Sequence, residues 1–188
     1  VNFVVGKPCA KIAKIPSLVD EDGYFLSSKR RRLQQQEGVD AFVYEECVLE
    51  VKAQVERFLQ ISGRLPDYID AHAVCTFTSE RAICDVGDSY GIHIQGHVTD
   101  PRWSLLQTDF TNEDFYRQKR PYVDFFTKHV SYGQKRNLVV FHPGYLDMAV
   151  YRQSSLTWNR CRDVELLCDE AVKQFLQAHT LVSFKELG

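Results

Sequence analysis

The spacing of hydrophobic residues predicts one long amphipathic helix in the first third of the chain. Between Asp40 and Ser62, apolar residues recur every three or four positions, which places them on one side of a helix. They are Val43, Cys47, Val48, Val51, Val55, Phe58 and Leu59. Charged and amide residues, Glu50 among them, fall mostly outside this stripe. Asp40 can cap the first turn, and Gly63 can end the helix.

Two short apolar runs that end in polar residues predict strands. Pro66–His72, with Tyr68–Ile69 as its core, follows the long helix at once, which is the order of an αβ unit in a parallel α/β architecture. Leu138–Phe141 is a continuous apolar run, typical of a parallel strand covered on both faces. Since proline lacks an N–H group and glycine accepts unusual backbone angles, Pro143–Gly144 turns the chain directly after His142.

Weaker patterns complete the predicted order of elements. Strands are expected at Asn2–Val5, Tyr90–Gln95 and Leu181–Phe184, and helices at Thr78–Gly87, Asp109–Val130, Trp158–Cys168 and Glu170–Ala178. Loops are expected at Lys7–Gly38 and from Tyr145 to Thr157. The basic run Lys29–Arg32 lacks interleaved aromatic residues, so a solvated surface is favoured over a nucleic-acid site.

Composition indicates a soluble globular protein of one domain, residues 1–188. Hydrophobic residues make up 44% and charged residues 26%, and the formal charge of −2 gives no basic field for nucleic acid. No apolar run approaches the roughly 20 residues that span a membrane. The 6 cysteines lack Cys-x-x-Cys spacing, which favours reduced thiols in a cytoplasmic protein.

Histidines at the two predicted strand ends are the candidates for chemistry. In parallel sheets and barrels, ligands gather at the carboxyl ends of strands, where His142 and His72 are expected. Asp70 lies two positions before His72, so both side chains point to one face and Asp70 can fix the imidazole or bind a metal. Two alternatives stay open. His142 can be a buried histidine that fixes a turn, and the Asp70–His72 pair can merely close a loop.

Four segments in order resemble the YdjC-like carbohydrate deacetylase family, which includes the chitooligosaccharide deacetylases. They are Val5–Pro8 with Pro16–Gly23, then Pro66–His72, then Phe141–Tyr145, and finally Asn159–Arg160 with Glu165–Leu166 and Leu181–Phe184. The resemblance covers essentially the whole chain. It implies a distorted β/α barrel of parallel strands with outer helices.

The resemblance also implies a divalent metal ion, magnesium or zinc. The family holds it with an aspartate and two histidines, and only His72 has a counterpart among these ligands. The chain is therefore expected to be the carboxy-terminal portion of such a barrel, incomplete at its amino terminus, with the other ligands upstream of Val1. Alone it is expected to bind metal poorly, because catalytic sites use three protein ligands. Val74 stands where many members have a further histidine, so substrate contacts there are not carried over.

The activity implied by the resemblance is hydrolysis of an acetamide on an amino sugar or short oligosaccharide. In this hypothesis His142 is the general acid and Asp70 orients His72. The residues expected to contact substrate are Lys7, Tyr145 and Arg160. Arg160 has a second interpretation, pairing along its helix with Asp163 or Glu165. Exposed sheet edges would favour a homodimer.

Two other functions remain. One is a catalytically inactive carbohydrate-binding or regulatory protein on the same scaffold. The other is a barrel phosphatase or another metal hydrolase, because fold does not fix chemistry. A phosphatase predicts a glycine-rich phosphate loop, and the sequence has none.

Overall fold

The computed structural model describes residues 1–40, 42–94, 103–106, 121–130, 136–154 and 156–183. The chain divides into two compact units, Val1–Gly96 with Ser183–Gly188 and His97–Val182. None of the helices in the described residues combines the length and apolar composition that crossing a membrane requires.

Among its described residues, the first unit contains three helices and a pair of short strands. The helices are α1 (Ser28–Gln36), α2 (Tyr44–Ser62) and α3 (Phe77–Tyr90), the strands are β1 (Tyr68–Ile69) and β2 (His93–Ile94), and a 3-10 turn covers Ile12–Lys14. The strands pair in parallel, with Tyr68 opposite His93. Because α3 connects them, this is a β–α–β unit, and the predicted parallel α/β architecture is confirmed here.

The first residue of the chain continues this parallel pairing on the segment after β1. The amino group of Val1 donates to the Asp70 carbonyl at 2.6 Å, and the His72 N–H donates to the Val1 carbonyl at 2.9 Å. This alternation is that of a parallel ladder centred on Ala71. The predicted strand Asn2–Val5 is wrong, since these residues leave the ladder and bend.

The helix boundaries differ from the sequence prediction at Asp40. The helix α2 begins at Tyr44, and Asp40 does not cap it. Instead the Asp40 carboxylate accepts from Thr76 Oγ1 at 2.9 Å and from the Thr78 N–H at 3.3 Å, next to the start of α3. The predicted end of α2 is confirmed, because Gly63 follows it with a positive φ of 73°.

The predicted loop Lys7–Gly38 contains the helix α1, and the basic run within it is not wholly exposed to solvent. Lys29, Arg30 and Arg32 are exposed, but Arg31 is only 1% exposed. Its Nη2 donates to the Ser17 carbonyl at 2.9 Å, and its guanidinium lies 4.5 Å from the centre of the Phe42 ring. Arg31 thus packs the segment Lys7–Gly38 against the core, so the prediction of an exposed side chain is wrong for this residue.

The core of the first unit lies between α2, α3 and the strands. Buried side chains on the two helices include Cys47, Val51 and Ile83. Burial raises the pKa of the Cys47 thiol to about 12. At Gly87 a Cβ atom would lie 2.5 Å from Ile94 Cγ1, so the close approach of α3 to β2 requires glycine.

A polar row on α2 holds the amino-terminal segment. Glu50 was predicted outside the apolar stripe, but it is fully buried. Its Oε1 accepts from the Cys9 N–H at 3.0 Å and from Gln54 Nε2 at 2.7 Å, and its Oε2 accepts from the Ala10 N–H at 2.9 Å. A side chain of the helix therefore accepts hydrogen bonds from the backbone N–H groups of the loop.

The neighbours of Glu50 in this row make similar contacts. Gln54 exchanges two hydrogen bonds with the backbone of Asn2, at 2.9 and 2.6 Å. Glu46 Oε2 accepts from both the N–H and the hydroxyl of Ser17, at 2.8 Å each. We call Glu46, Glu50 and Gln54 the α2 polar row.

The second unit contains four helices and another parallel pair of strands among its described residues. The helices are α4 (Val123–His129), α5 (Met148–Gln153), α6 (Trp158–Cys168) and α7 (Glu170–Gln177), and the strands are β3 (Trp103–Leu106) and β4 (Arg136–Val139). Trp103 is opposite Arg136 and Leu106 is opposite Val139. The buried core consists of Phe125, Phe126, Leu166 and Val172.

The structure differs from three of the predictions for this unit. The strand predicted at Leu138–Phe141 is β4, which ends at Val139 and is half-buried rather than covered on both faces. The stretch after Tyr145 includes α5, whose start is capped by Asp147. No strand forms at residues 181–183, which are exposed, and Phe184 lies outside the described residues. The helices α6 and α7 match their predictions. One or two helices were expected over Asp109–Val130, of which α4 is described, and residues 109–120 lie outside the described part.

Across all described residues the strands form two separate parallel pairs. These pairs agree with the predicted parallel α/β class. They do not by themselves make a closed barrel.

Replacing Glu50 tests the α2 polar row. We expect Glu50→Ala to lower the free energy of unfolding by about 3 kcal/mol, because three donors lose a buried charged acceptor. Glu45→Ala, which removes an exposed carboxylate from the same helix, should change it by no more than about 0.5 kcal/mol. Denaturant unfolding followed by circular dichroism measures both, and equal effects would show that Glu50 has no special role.

Candidate functional site

The end of β1 carries the first two candidate residues. Asp70 directly follows the strand and is half-buried, whereas His72 is exposed. Their backbones are fixed by the pairing with Val1.

The residue after His72 has a strained backbone. Ala73 has a positive φ of 64°, and the Val74 N–H donates to the His72 carbonyl at 2.8 Å. A three-residue turn with positive φ at its centre is the rare form of the γ-turn, and an alanine there costs roughly 1–2 kcal/mol. Such strain tends to occur at functional sites. The turn directs the chain away immediately after the candidate histidine.

Lys7 follows a second strained position. Val5 has a positive φ of 58°, and the Gly6 carbonyl accepts from the Phe25 N–H at 2.9 Å. Lys7 itself is exposed, and its Nζ lies 5.1 Å from the centre of the Tyr24 ring. A cation held over an exposed tyrosine contributes about 0.5–1 kcal/mol, so Lys7 remains accessible to a solute.

A cavity of about 480 Å³ borders Asp70 but not His72. Its lining comes from α2, from the segment Arg64–Ile69 before the strand end, and from Val1. Asp70 is the one candidate residue in this lining, and Lys7 is not part of it. We do not assign the substrate to it.

The described residues do not complete a metal site. No group of three or more histidine, cysteine, aspartate or glutamate side chains with suitable geometry occurs among them. His72 and Asp70 supply one imidazole and one carboxylate, and a catalytic metal site uses three protein ligands. The described residues thus do not fit a divalent ion by themselves.

The second unit carries His142 three positions after the end of β4. Its side chain is exposed, so the alternative of a buried histidine that fixes a turn is wrong. The backbone N–H of His142 donates to Asp163 Oδ2 at 2.8 Å. The imidazole is therefore presented to solvent from a backbone that the helix α6 holds.

Asp163 belongs to a buried ion pair that sequence reasoning missed. Arg162 Nη2 lies 2.6 Å from Asp163 Oδ1, and the two residues are only 4% and 2% exposed. The Arg162 guanidinium also lies 5.5 Å from the centre of the Trp158 ring. A signal existed in the sequence, because Arg162 and Asp163 lie four and three positions before the buried Leu166, on the same face of α6.

Arg160 does not pair with Asp163 or Glu165, the two carboxylates that the sequence suggested, and its contact with substrate stays a prediction. Its Nε donates to the Leu156 carbonyl at 3.0 Å, and its Nη2 approaches Ser154 Oγ at 3.5 Å. The two expected carboxylate partners bind elsewhere, Asp163 to the backbone of His142 and Glu165 to the Tyr122 hydroxyl at 2.5 Å. The guanidinium of Arg160 thus supports the chain before α6.

The turn around His142 is attached to α6 at a second point. The Gly144 N–H donates to the Arg160 carbonyl at 3.3 Å. Tyr145 follows with its side chain 80% exposed. His142, Tyr145 and Arg160 are therefore grouped around the start of α6, while Asp70, His72 and Lys7 belong to the first unit. The common site for both groups stays a prediction.

Comparisons with known proteins agree in pointing to one family. A family model described as YdjC-like protein matches residues 1–178. The chain is 24% identical over 206 residues to carbohydrate deacetylase 2 of Listeria innocua, an alignment that covers 100% of the chain and 75% of that protein. It is 26% identical over 186 residues to a carbohydrate deacetylase of Enterococcus faecalis, covering 91% of the chain and 68% of that protein.

A solved structure shows the same fold. It is described as a proposed cellobiose-phosphate cleavage protein of Enterococcus faecalis V583. The TM-score is 0.69 at 21% sequence identity, and the match covers 98% of this chain and 75% of that one.

Glycine at position 73 tests whether the turn after His72 is strained. We expect Ala73→Gly to raise the free energy of unfolding by up to about 1 kcal/mol, because relief of the positive φ exceeds the added flexibility of the unfolded chain. Ala71→Gly, within the ladder to Val1, is the matched control and should lower it by about 0.5–1 kcal/mol. Equal losses for both variants in denaturant unfolding would rule out strain at Ala73.

Proposed function

Because the chain belongs to the YdjC-like protein family, we propose that it is a carbohydrate deacetylase, a hydrolase that removes acetyl groups from amino sugars or short oligosaccharides. The observation that carries the proposal is His142, an exposed imidazole just beyond a parallel strand, with its backbone held by a buried carboxylate. Relatives with the name carbohydrate deacetylase support it at 24–26% identity. N-acetylated, chitin-derived oligosaccharides are the substrates we propose.

The reaction requires a proton for the departing amine. An amide resists water because its nitrogen stabilises the carbonyl and leaves poorly unless it is protonated. We assign this proton transfer to His142, whose exposed ring can reach a bound substrate. Since the helix α6 binds the backbone of His142 rather than its ring, the imidazole nitrogens remain available for acid chemistry.

The remaining candidates bind or orient. Tyr145, which follows His142 by three residues and has an exposed ring, can stack on a sugar face. Lys7 offers an accessible ammonium, and Arg160 shapes the chain around the same turn as Tyr145. Asp70 orients His72 in this proposal. The proposed fold around them is a distorted β/α barrel, consistent with the two parallel strand pairs and the solved structure, and we keep the prediction of a homodimer.

A divalent metal ion, magnesium or zinc, is part of the proposal. Such an ion would polarise the amide and would lower the pKa of a water bound to it. His72 offers one ligand. The incomplete ligand set among the described residues favours the second candidate, a carbohydrate-binding or regulatory protein without catalysis.

Metal-dependent acetate release decides between these two functions. We expect the natural full-length protein to release acetate from diacetylchitobiose, to lose this activity with a chelator and to regain it with zinc or magnesium. His72→Ala should abolish release, whereas Asp67→Ala, an exposed carboxylate just before the same strand, should stay within about threefold of wild type. Sugar binding by calorimetry without any acetate release would instead support the binding protein.

The assignment of His142 makes a separate prediction. His142→Ala should lower kcat by about 10²–10⁴-fold, the usual contribution of a general acid, with a smaller effect on KM. His179→Ala removes an imidazole at the end of α7 in the same unit and serves as the control. If kcat of the His142 variant stays within about threefold of wild type, another group supplies the proton.

A further inference from the structure

All the backbone N–H groups of the turn that carries His142 donate hydrogen bonds to one helix. Within His142–Gly144, Pro143 has no N–H, so only the two flanking residues can donate. The first donates to Asp163 Oδ2 at 2.8 Å and the second to the Arg160 carbonyl at 3.3 Å. Both acceptors belong to the first two turns of α6. The conformation of the turn therefore depends on this helix.

The two attachments differ in strength. The Arg160 carbonyl is a neutral acceptor at the longer distance. The Asp163 carboxylate is a charged acceptor, and charge-assisted hydrogen bonds are roughly twice as strong as neutral ones. Asp163 is also only 2% exposed, so water does not compete for its oxygens. The attachment at His142 thus dominates.

Arg162 lowers the free-energy cost of burying the Asp163 carboxylate. A buried charge is strongly unfavourable unless it is paired and hydrogen-bonded. The two oxygens of Asp163 are divided between two partners, Oδ1 to Arg162 Nη2 at 2.6 Å and Oδ2 to the backbone of His142. The pair is thereby held rigid on α6. Outside α6, the Asp163 carboxylate contacts the backbone N–H of His142 in the turn.

We propose that Asp163 is the positioning residue for His142, with Arg162 holding its carboxylate in place. The inference rests on the proposed role of His142 as general acid. Asp163 binds the main chain and does not touch the imidazole, so it fixes where the ring starts and exchanges no proton with it. A misplacement of about 1 Å in a reacting group can cost 10²-fold in rate. The effect therefore falls on kcat and leaves substrate binding nearly unchanged.

Three variants separate positioning from stability. Asp163→Ala removes the acceptor and leaves Arg162 buried without its carboxylate. Arg162→Leu alone leaves the carboxylate without its cation. The double variant Arg162→Leu with Asp163→Asn keeps an oxygen for the His142 N–H and removes both charges, and replacing both members of a buried pair is often close to neutral.

The first measurement is hydrogen exchange of the His142 and Gly144 amides, with the amides of α7 as internal reference. We expect Asp163→Ala to speed exchange at the turn by at least about tenfold while α7 keeps its protection, and the double variant to restore protection. Unchanged exchange at His142 would overturn the proposal. An equal rise at α7 that the double variant does not reverse would also overturn it, because the pair would then serve only global stability.

The second measurement is acetate release from diacetylchitobiose. We expect Asp163→Ala to lower kcat by about 10–100-fold with KM within about threefold, and the double variant to recover to within about tenfold of wild type. Full activity of Asp163→Ala beside an inactive His142→Ala would overturn positioning and leave the proposed function intact. If the wild-type protein releases no acetate, the proposed function fails, and the exchange measurement alone decides whether Asp163 fixes the turn.

Discussion

The buried carboxylate of Glu50 is the interaction on which the first unit depends. A fully buried charge is tolerated only when its oxygens are occupied, and here two backbone N–H groups of the loop and the Gln54 amide occupy them. Members of the α2 polar row are four residues apart, about 6 Å along the helix. They therefore bind three separated points of the amino-terminal segment, at Ser17, at Cys9–Ala10 and at Asn2. This arrangement brings Val1 to the backbone of Asp70 and His72.

The second unit uses the same device on a smaller scale. In both units an irregular segment with candidate residues is bound, through its main-chain N–H groups, to a buried carboxylate on a helix, Glu50 in one and Asp163 in the other. Because irregular segments lack the hydrogen bonds between neighbouring strands that would occupy these donors, a carboxylate on a helix accepts from them instead. Because the main chain makes the contact, the side chain of His142 stays exposed.

Regular patterns in the sequence predicted most of the regular structure. The apolar stripe between Val43 and Leu59 predicted α2, and short apolar runs with polar exits predicted β1 and β4, although β4 ends two residues earlier than expected, at Val139. The buried polar residues were not predictable in this way. Glu50 and Arg31 are charged residue types that usually lie on the surface, and their burial depends on partners 41 and 14 positions away in sequence. Spacing predicted the positions of His72 and His142, but their roles depend on chemistry that only activity can test.

The buried thiol of Cys47 gives the first unit an internal reporter of its own integrity. Only the thiolate reacts readily with alkylating reagents, and burial keeps the pKa of Cys47 at about 12. Near neutral pH the folded molecule therefore presents almost no reactive form of this sulfur. Cys47 lies on α2 one turn before Glu50, so its labelling rate measures how often the contact between helix and core opens, without any probe having to be introduced.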